Sequence, residues 1–292
     1  MKRFAAMLVV LLSVLSLSAC SVRTAYNNFD RLTLRWVNQQ VSLDAPQQQL
    51  LRDFLTEELG WHCATQLTDY QAWIEQLRMD VLAERLDHAR LAEHGESVAQ
   101  FGRILSDRTL PILVDLAASL NDDQVEQLLA AVAERTEKIR VAVEDTTQEE
   151  LANKRLESME RSLRRLMGRS NRAQQERLAT WAQSITATES YQLNQRLYWH
   201  GRLAAALERR DEREFLAAEI ADLLRPQSAW PDAYRAAMEG NRRLTLDALE
   251  DVLRLTDQRQ VNRMSARLSG LRSDFQRLSC EGTAPPELLA AS

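Results

Sequence analysis

After Thr24 the apolar positions of the chain recur at three- and four-residue intervals almost without interruption, the spacing of amphipathic helices. Cys63, Leu67, Tyr70, Ile74, Leu77 and Val81 follow steps of 4, 3, 4, 3 and 4, which predicts a bundle seam on a long helix starting near Asp44. A third stripe runs through Val125, Leu128, Leu129, Val132, Thr136, Ile139 and Val143, and a fourth through Leu193, Leu197, His200, Ala204 and Leu207. Near the end, Val261, Met264, Leu268, Leu271, Phe275 and Leu278 repeat at 3, 4, 3, 4 and 3. No stretch alternates with period two long enough to make a strand. The pattern predicts an all-α fold, a multi-helix bundle with long antiparallel helices.

The first helix leaves a choice. Tyr26, Phe29, Leu32 and Trp36 mark one face, with Leu34, Val37 and Val41 off that stripe. Such a helix can lie in a membrane interface or pack into a core. We read it as core packing.

Helix starts are written into the chain. Asp44 precedes Gln47, Asn121 precedes Gln124 and Asn171 precedes Gln174 by three residues each. In a capping box the short side chain accepts from an orphan N–H of the first turn, while the glutamine reaches back to the cap's own N–H. Leu255-Thr256-Asp257-Gln258-Arg259 reads as a degenerate fourth copy. The starts are separated by about 77, 50 and 85 residues, so no solenoid period is present. Gly168, Pro226 and the Gly282-Thr283-Ala284-Pro285-Pro286 run are stops.

The first twenty residues read as a processing signal. Lys2 and Arg3 precede a mostly apolar run from Ala5 to Leu17, too short for a spanning helix of ~20 residues. The run closes on Leu17-Ser18-Ala19-Cys20, which resembles the bacterial lipobox. The resemblance implies acylation at Cys20, and Ser21 in place of Asp implies sorting to the outer membrane; the expected orientation is toward the periplasm. The organisation expected is a signal peptide over 1–19, one helical domain over 20–280 and a flexible tail over 281–292.

With Cys20 acylated, Cys63 and Cys280 remain as an even pair in an oxidising compartment, which points to a disulfide; two buried free thiols are the alternative. Two cysteines without a Cys-x-x-Cys do not make a structural zinc site.

Composition narrows the chemistry. Eight glycines and six prolines in 292 residues disfavour sandwiches, propellers and nucleotide-binding α/β folds. Without the signal, 35 basic residues face 42 acidic ones, a net charge of −7 that disfavours a nucleic-acid partner. Only Lys2, Lys138 and Lys154 are lysines. Between 149 and 177, Glu149, Glu150, Glu157 and Glu160 give way to Arg161, Arg164, Arg165 and Arg169. Acids early and bases late suit the helix dipole. The arginine-rich stretch 161–172 reads either as a solvated helix face, the reading we favour, or as a patch for lipid phosphate.

Candidate metal ligands are few. Glu58/His62 and Glu84/His88 are i,i+4 pairs, but the Glu-x-x-His spacing of di-iron bundles is absent. Nucleophile elbow, phosphate-binding loop and zincin motifs do not occur. Trp36, Trp61, Trp73, Trp181, Trp199 and Trp230 read as core anchors rather than a groove. We expect no catalytic residues, metal, cofactor or small-molecule substrate.

Tyr26-Asn27-Asn28-Phe29-Asp30, Leu34-Arg35-Trp36 and Trp61-His62-Cys63, after the lipobox, resemble a family of uncharacterised all-helical lipoproteins of Gram-negative bacteria that carries only a domain-of-unknown-function label. The resemblance implies fold and location and brings no activity. A weaker one, to periplasmic chaperones with a Leu-Thr-x-x-Gln motif, rests on Leu43-Asp44-Ala45-Pro46-Gln47 and Leu120-Asn121-Asp122-Asp123-Gln124, where Asp or Asn replaces Thr. The expected function is that of a lipid-anchored, non-enzymatic binder of an envelope protein, a scaffold or assembly factor. The alternative is an ATP-independent periplasmic chaperone or stress-response binder.

Overall fold

The computed structural model describes residues 24–278 and 280. The expected signal peptide and the whole of the expected tail therefore lie outside the described residues, and so does Cys20. Eleven α-helices of ten residues or more follow one another: α1 Phe29–Asn38, α2 Ala45–Trp61, α3 Leu67–Leu82, α4 His88–Ser119, α5 Asp122–Glu144, α6 Gln148–Met167, α7 Arg172–Ser184, α8 Glu189–Glu208, α9 Arg213–Leu224, α10 Asp232–Arg254 and α11 Gln258–Leu278. No strand occurs among the described residues. The all-α bundle predicted from the period is the fold.

The seam starting near Asp44 belongs to one rod. A π-helical turn, His62–Gln66, joins α2 directly to α3, and Cys63, Leu67, Ile74 and Val81 are all buried. Two apolar centres lie along this rod. One is built from α3, α6, α7, α10 and α11 around Ile74, Leu163, Met167, Leu178, Val252, Met264 and Leu268. The other is built from α1, α2, α4, α5 and α8 around Leu34, Leu51, Leu55, Ile112 and Leu207. A satellite of Val114, Ala206, Leu216 and Ile220 seats α9 against α4 and α8.

The capping boxes do more than start helices. Asp44, Asn121 and Asn171 cap α2, α5 and α7 as predicted, each with its glutamine reaching back. The fourth copy is shifted: Asp257 accepts from Gln260 N at 2.8 Å and Gln260 Oε1 accepts from Asp257 N at 3.2 Å. The glutamines then pair. Gln47 and Gln124 donate to each other's carboxamide oxygens at 3.0 and 2.7 Å, and their remaining N–H groups donate to Ser119 O and Ser42 O, both at 2.8 Å. Gln174 and Gln260 repeat the arrangement at 3.1 and 3.0 Å, donating to Val252 O and Arg169 O, both at 3.1 Å. Each buried carboxamide thereby fills both donor and both acceptor sites, which is what burial of a polar group demands.

A further box, Thr147 with Glu150, starts α6. Its opening acids and closing Arg164 and Arg165 complement the dipole. α6 stops at Gly168, whose φ of +91° favours a residue without Cβ; a Cβ there would meet the Arg263 side chain at 3.2–3.3 Å.

Two apolar stripes differ from expectation. Phe29, Leu32 and Trp36 of α1 face outward, and the off-stripe Leu34, Val37 and Val41 pack into the core. Periodicity tells which residues share a face, not which face is covered. In α8, Leu207 of the expected stripe is buried together with Ala206, but Leu197 is exposed.

Candidate functional site

The chain enters and leaves the fold at one pole. Cys63 and Cys280 are disulfide-bonded across 217 residues, with Cα atoms 5.1 Å apart, and Cys280 N donates to Cys63 O at 3.0 Å. The thiol pairing expected from the cysteine count is thus present. The bond ties the end of α11 to the π-turn. Single π-turns often mark functional positions, and this one carries an aromatic cluster. Tyr26 Oη lies 3.2 Å from His62 Nδ1. The His62 ring meets Tyr70 edge-on at 5.5 Å, and Tyr70 meets Phe101 at 4.7 Å and Phe275 at 5.9 Å. Burial pushes the Tyr26 and Tyr70 hydroxyls up to about 12 and depresses His62, with Glu58 opposing the latter. These are neutral, packed groups at neutral pH.

The histidine–carboxylate pairs do not converge on a ligand site. Both oxygens of Glu58 accept from Arg108 at 2.6 Å, with the Arg108 guanidinium 4.0 Å above the Trp61 ring. His88 turns away from Glu84 to Asp247, 2.6 Å distant. His94 Nε2 lies 3.0 Å from Asp80, and His200 Nε2 is buried without a hydrogen-bond partner. Among the described residues no three His, Cys, Asp or Glu side chains gather as a metal site.

Asp80 anchors the densest buried charge cluster. It is 1% exposed and accepts from Arg90 at 2.6 Å, from Arg85 at 3.0 Å and from Gln76. Burial opposes its ionisation, but the hydrogen bonds from Arg90, Gln76 and His94 outweigh it and hold the carboxyl below its usual range. His94 is depressed, chiefly by burial. The cluster clamps the α3–α4 turn, where Glu84 takes a left-handed φ of 53°. Its job is architectural.

Trp181 is a core anchor as expected, and Trp36 is not, being 54% exposed.

The arginine-rich stretch divides. Arg172 pairs with Glu176 at 2.8 Å, whereas Arg161, Arg164 and Arg169 are exposed and have no side-chain hydrogen bond or ion pair among the described residues. Arg259, Arg263 and Arg267 are likewise exposed and unpaired, at four-residue steps along α11. α11 packs on α6, and Arg263 lies against Gly168. Two helices therefore contribute to one cationic face beside a groove of about 370 Å³ lined by Glu160, Arg164, Arg169, Ser170 and Gln175. The α11 contribution escaped sequence reasoning because its arginines are 90 or more residues away from the others. Their four-residue spacing was the available signal.

No helix among the described residues is long and apolar enough to cross a membrane. No curated protein and no solved structure matches the chain. Residues 39–235, about two thirds of the sequence, match one family, and on that match the chain belongs to DUF6279, a family of unknown function.

Proposed function

We propose that the protein is a lipid-anchored, non-enzymatic helical scaffold of the bacterial outer membrane, facing the periplasm and acting by binding another envelope protein. The observation that carries this reading is the division of labour among three cysteines. Cys63 and Cys280 are consumed in a disulfide suited to an oxidising compartment. That leaves Cys20, directly after Leu17-Ser18-Ala19, as the one thiol free for acylation.

The cationic face supports the binding role. On a protein of net charge −5, where most arginines are held by carboxylates or carbonyls, six guanidinium groups without a partner among the described residues, on α6, on α11 and at Arg169 just after α6, form a surface suited to an acidic partner. The motif behind the rival chaperone reading also has a structural use. Gln47 and Gln124 spend every donor and acceptor on fastening helix ends, so the sequence likeness there has a structural cause.

The test has two arms. Labelled palmitate is expected on the wild-type protein and absent from Cys20→Ser, which leaves the membrane fraction; label on neither, with both proteins soluble, refutes the anchor. Crosslinking in intact cells is expected to trap a partner that is lost in the Arg164→Glu/Arg263→Glu variant. An unchanged crosslinking pattern in that variant removes the arginine face from the binding role.

A further inference from the structure

α1 leaves its most apolar stripe uncovered. Phe29, Leu32 and Trp36 are 48%, 53% and 54% exposed, on the side opposite to the one that buries Leu34 and packs Val37. Together they offer on the order of 300 Å² of apolar surface. A stable dimer interface needs ~800 Å² per partner, so a second copy of the chain is a poor occupant. The stripe is bordered by Arg31 and Arg35, both exposed. Arg31 is bonded to Asn28, and the Arg35 guanidinium has no partner among the described residues. Aromatic and leucine side chains on one side with arginines at the margin are what a helix lying in a bilayer interface presents: rings and methyl groups among the acyl chains, guanidinium groups at the phosphates.

Position names the occupant. Thr24 is four residues from Cys20, a reach of at most ~14 Å. The backbone is helical from Thr24 apart from a turn at Asn28, rising ~1.5 Å per residue. A lipid attached at Cys20 therefore keeps Phe29, Leu32 and Trp36 within about 32 Å of the acylated residue, close enough for the stripe to reach the membrane surface. Tyr26, on the same segment, is held by Leu59 O and His62, so this segment is fixed to the rod rather than swinging on a tether.

We infer that the outward face of α1 is a second membrane contact, seating Phe29, Leu32 and Trp36 in the bilayer interface and fixing the orientation of the bundle on the membrane. The inference takes its membrane from the Cys20 reading, but the contact is made by side chains and not by the acyl chains.

The mature, acylated protein reconstituted in phosphatidylcholine/phosphatidylglycerol vesicles provides the test, with tryptophan fluorescence quenched by lipids brominated near the headgroup end of the chains. Quenching is expected in the wild type and is expected to fall several-fold in Trp36→Phe, which removes one of six tryptophans. Equal quenching in the two proteins, or none in either, overturns the inference and leaves the anchor standing. In the Cys20→Ser protein, vesicle co-sedimentation is expected to persist and to weaken at least tenfold when Phe29, Leu32 and Trp36 are changed to Ser. The triple variant should keep the wild-type circular dichroism and melting temperature, since none of the three fills the core. Sedimentation equilibrium covers the remaining occupant: a dimer abolished by the triple variant, with no lipid quenching, assigns the stripe to a second copy and refutes the bilayer contact.

Discussion

At the scale of single residues, stability rests on side chains whose every polar atom is used. Gln174 is fully buried and joins the start of α7, the start of α11 and the end of α10 through one carboxamide. Gln174→Leu is nearly isosteric but strands the Asn171 N–H, the Val252 carbonyl and half of the Gln260 carboxamide. Unsatisfied buried groups cost ~1–3 kcal/mol each, moderated where water enters. A loss of about 2–4 kcal/mol is therefore expected in urea unfolding. A change below about 1 kcal/mol would mean that the paired glutamines are incidental to stability. Sequence reasoning reached half of this device. The cap spacing made each glutamine legible as a helix starter, but nothing in the chain announces that glutamines 77 and 86 residues apart meet.

At the scale of helices, the period of 3.5 residues gave the rod from Asp44 to Leu82 and the α11 seam almost residue for residue. Where it misled, at α1 and at Leu197, the helix itself was right and the covered side was wrong. Amphipathicity is a property of one helix, whereas burial depends on which neighbours arrive and from where. The arginine face was half legible for the same reason: a run along α6 is visible in the chain, while its continuation on α11 is created by packing. The end of α11 is an element whose placement has a covalent cause. Closing a loop of 217 residues is worth about 5 kcal/mol in the chain-entropy model. Cys280→Ser is thus expected to lower unfolding free energy by up to about 5 kcal/mol, and to raise amide exchange over the last turn of α11 around Phe275 and Leu278. Exchange that stays at wild-type rates there would show that the apolar contacts of Leu278 and Phe275 suffice without the bond.

At the scale of the whole molecule, the two glutamine pairs fasten separate sets of helix ends, one joining α2 to α5 in the first half of the fold and one joining α7 to α11 in the second. The halves nevertheless interlock: α11 packs along α3 and α8 along α5. A chain joined in this way should respond to acid as a unit, and its buried histidines set the direction. His62 and His94 have folded-state values below the ordinary 6.5. For a depressed base the unfolded chain binds protons first, so the native state is favoured above pH 6.5 and loses ground as pH falls through 6.5 toward the folded value. Asp80, whose carboxyl is also depressed, adds its loss only further down, below its ordinary 3.8. Thermal unfolding is expected to show a lower melting temperature at pH 5 than at pH 8, with a smaller difference in His94→Gln. A melting temperature that does not move between those pH values would contradict the burial-driven shift of both rings.

The disulfide has one more effect, on traffic in and out of the fold. Because residue 280 is fastened to residue 63 beside Tyr26, the first and last described stretches of the polypeptide meet at the same corner. Residues that follow position 280 begin their path next to Tyr26, whereas the paired starts of α7 and α11 lie a full helix length of α11 away from that corner.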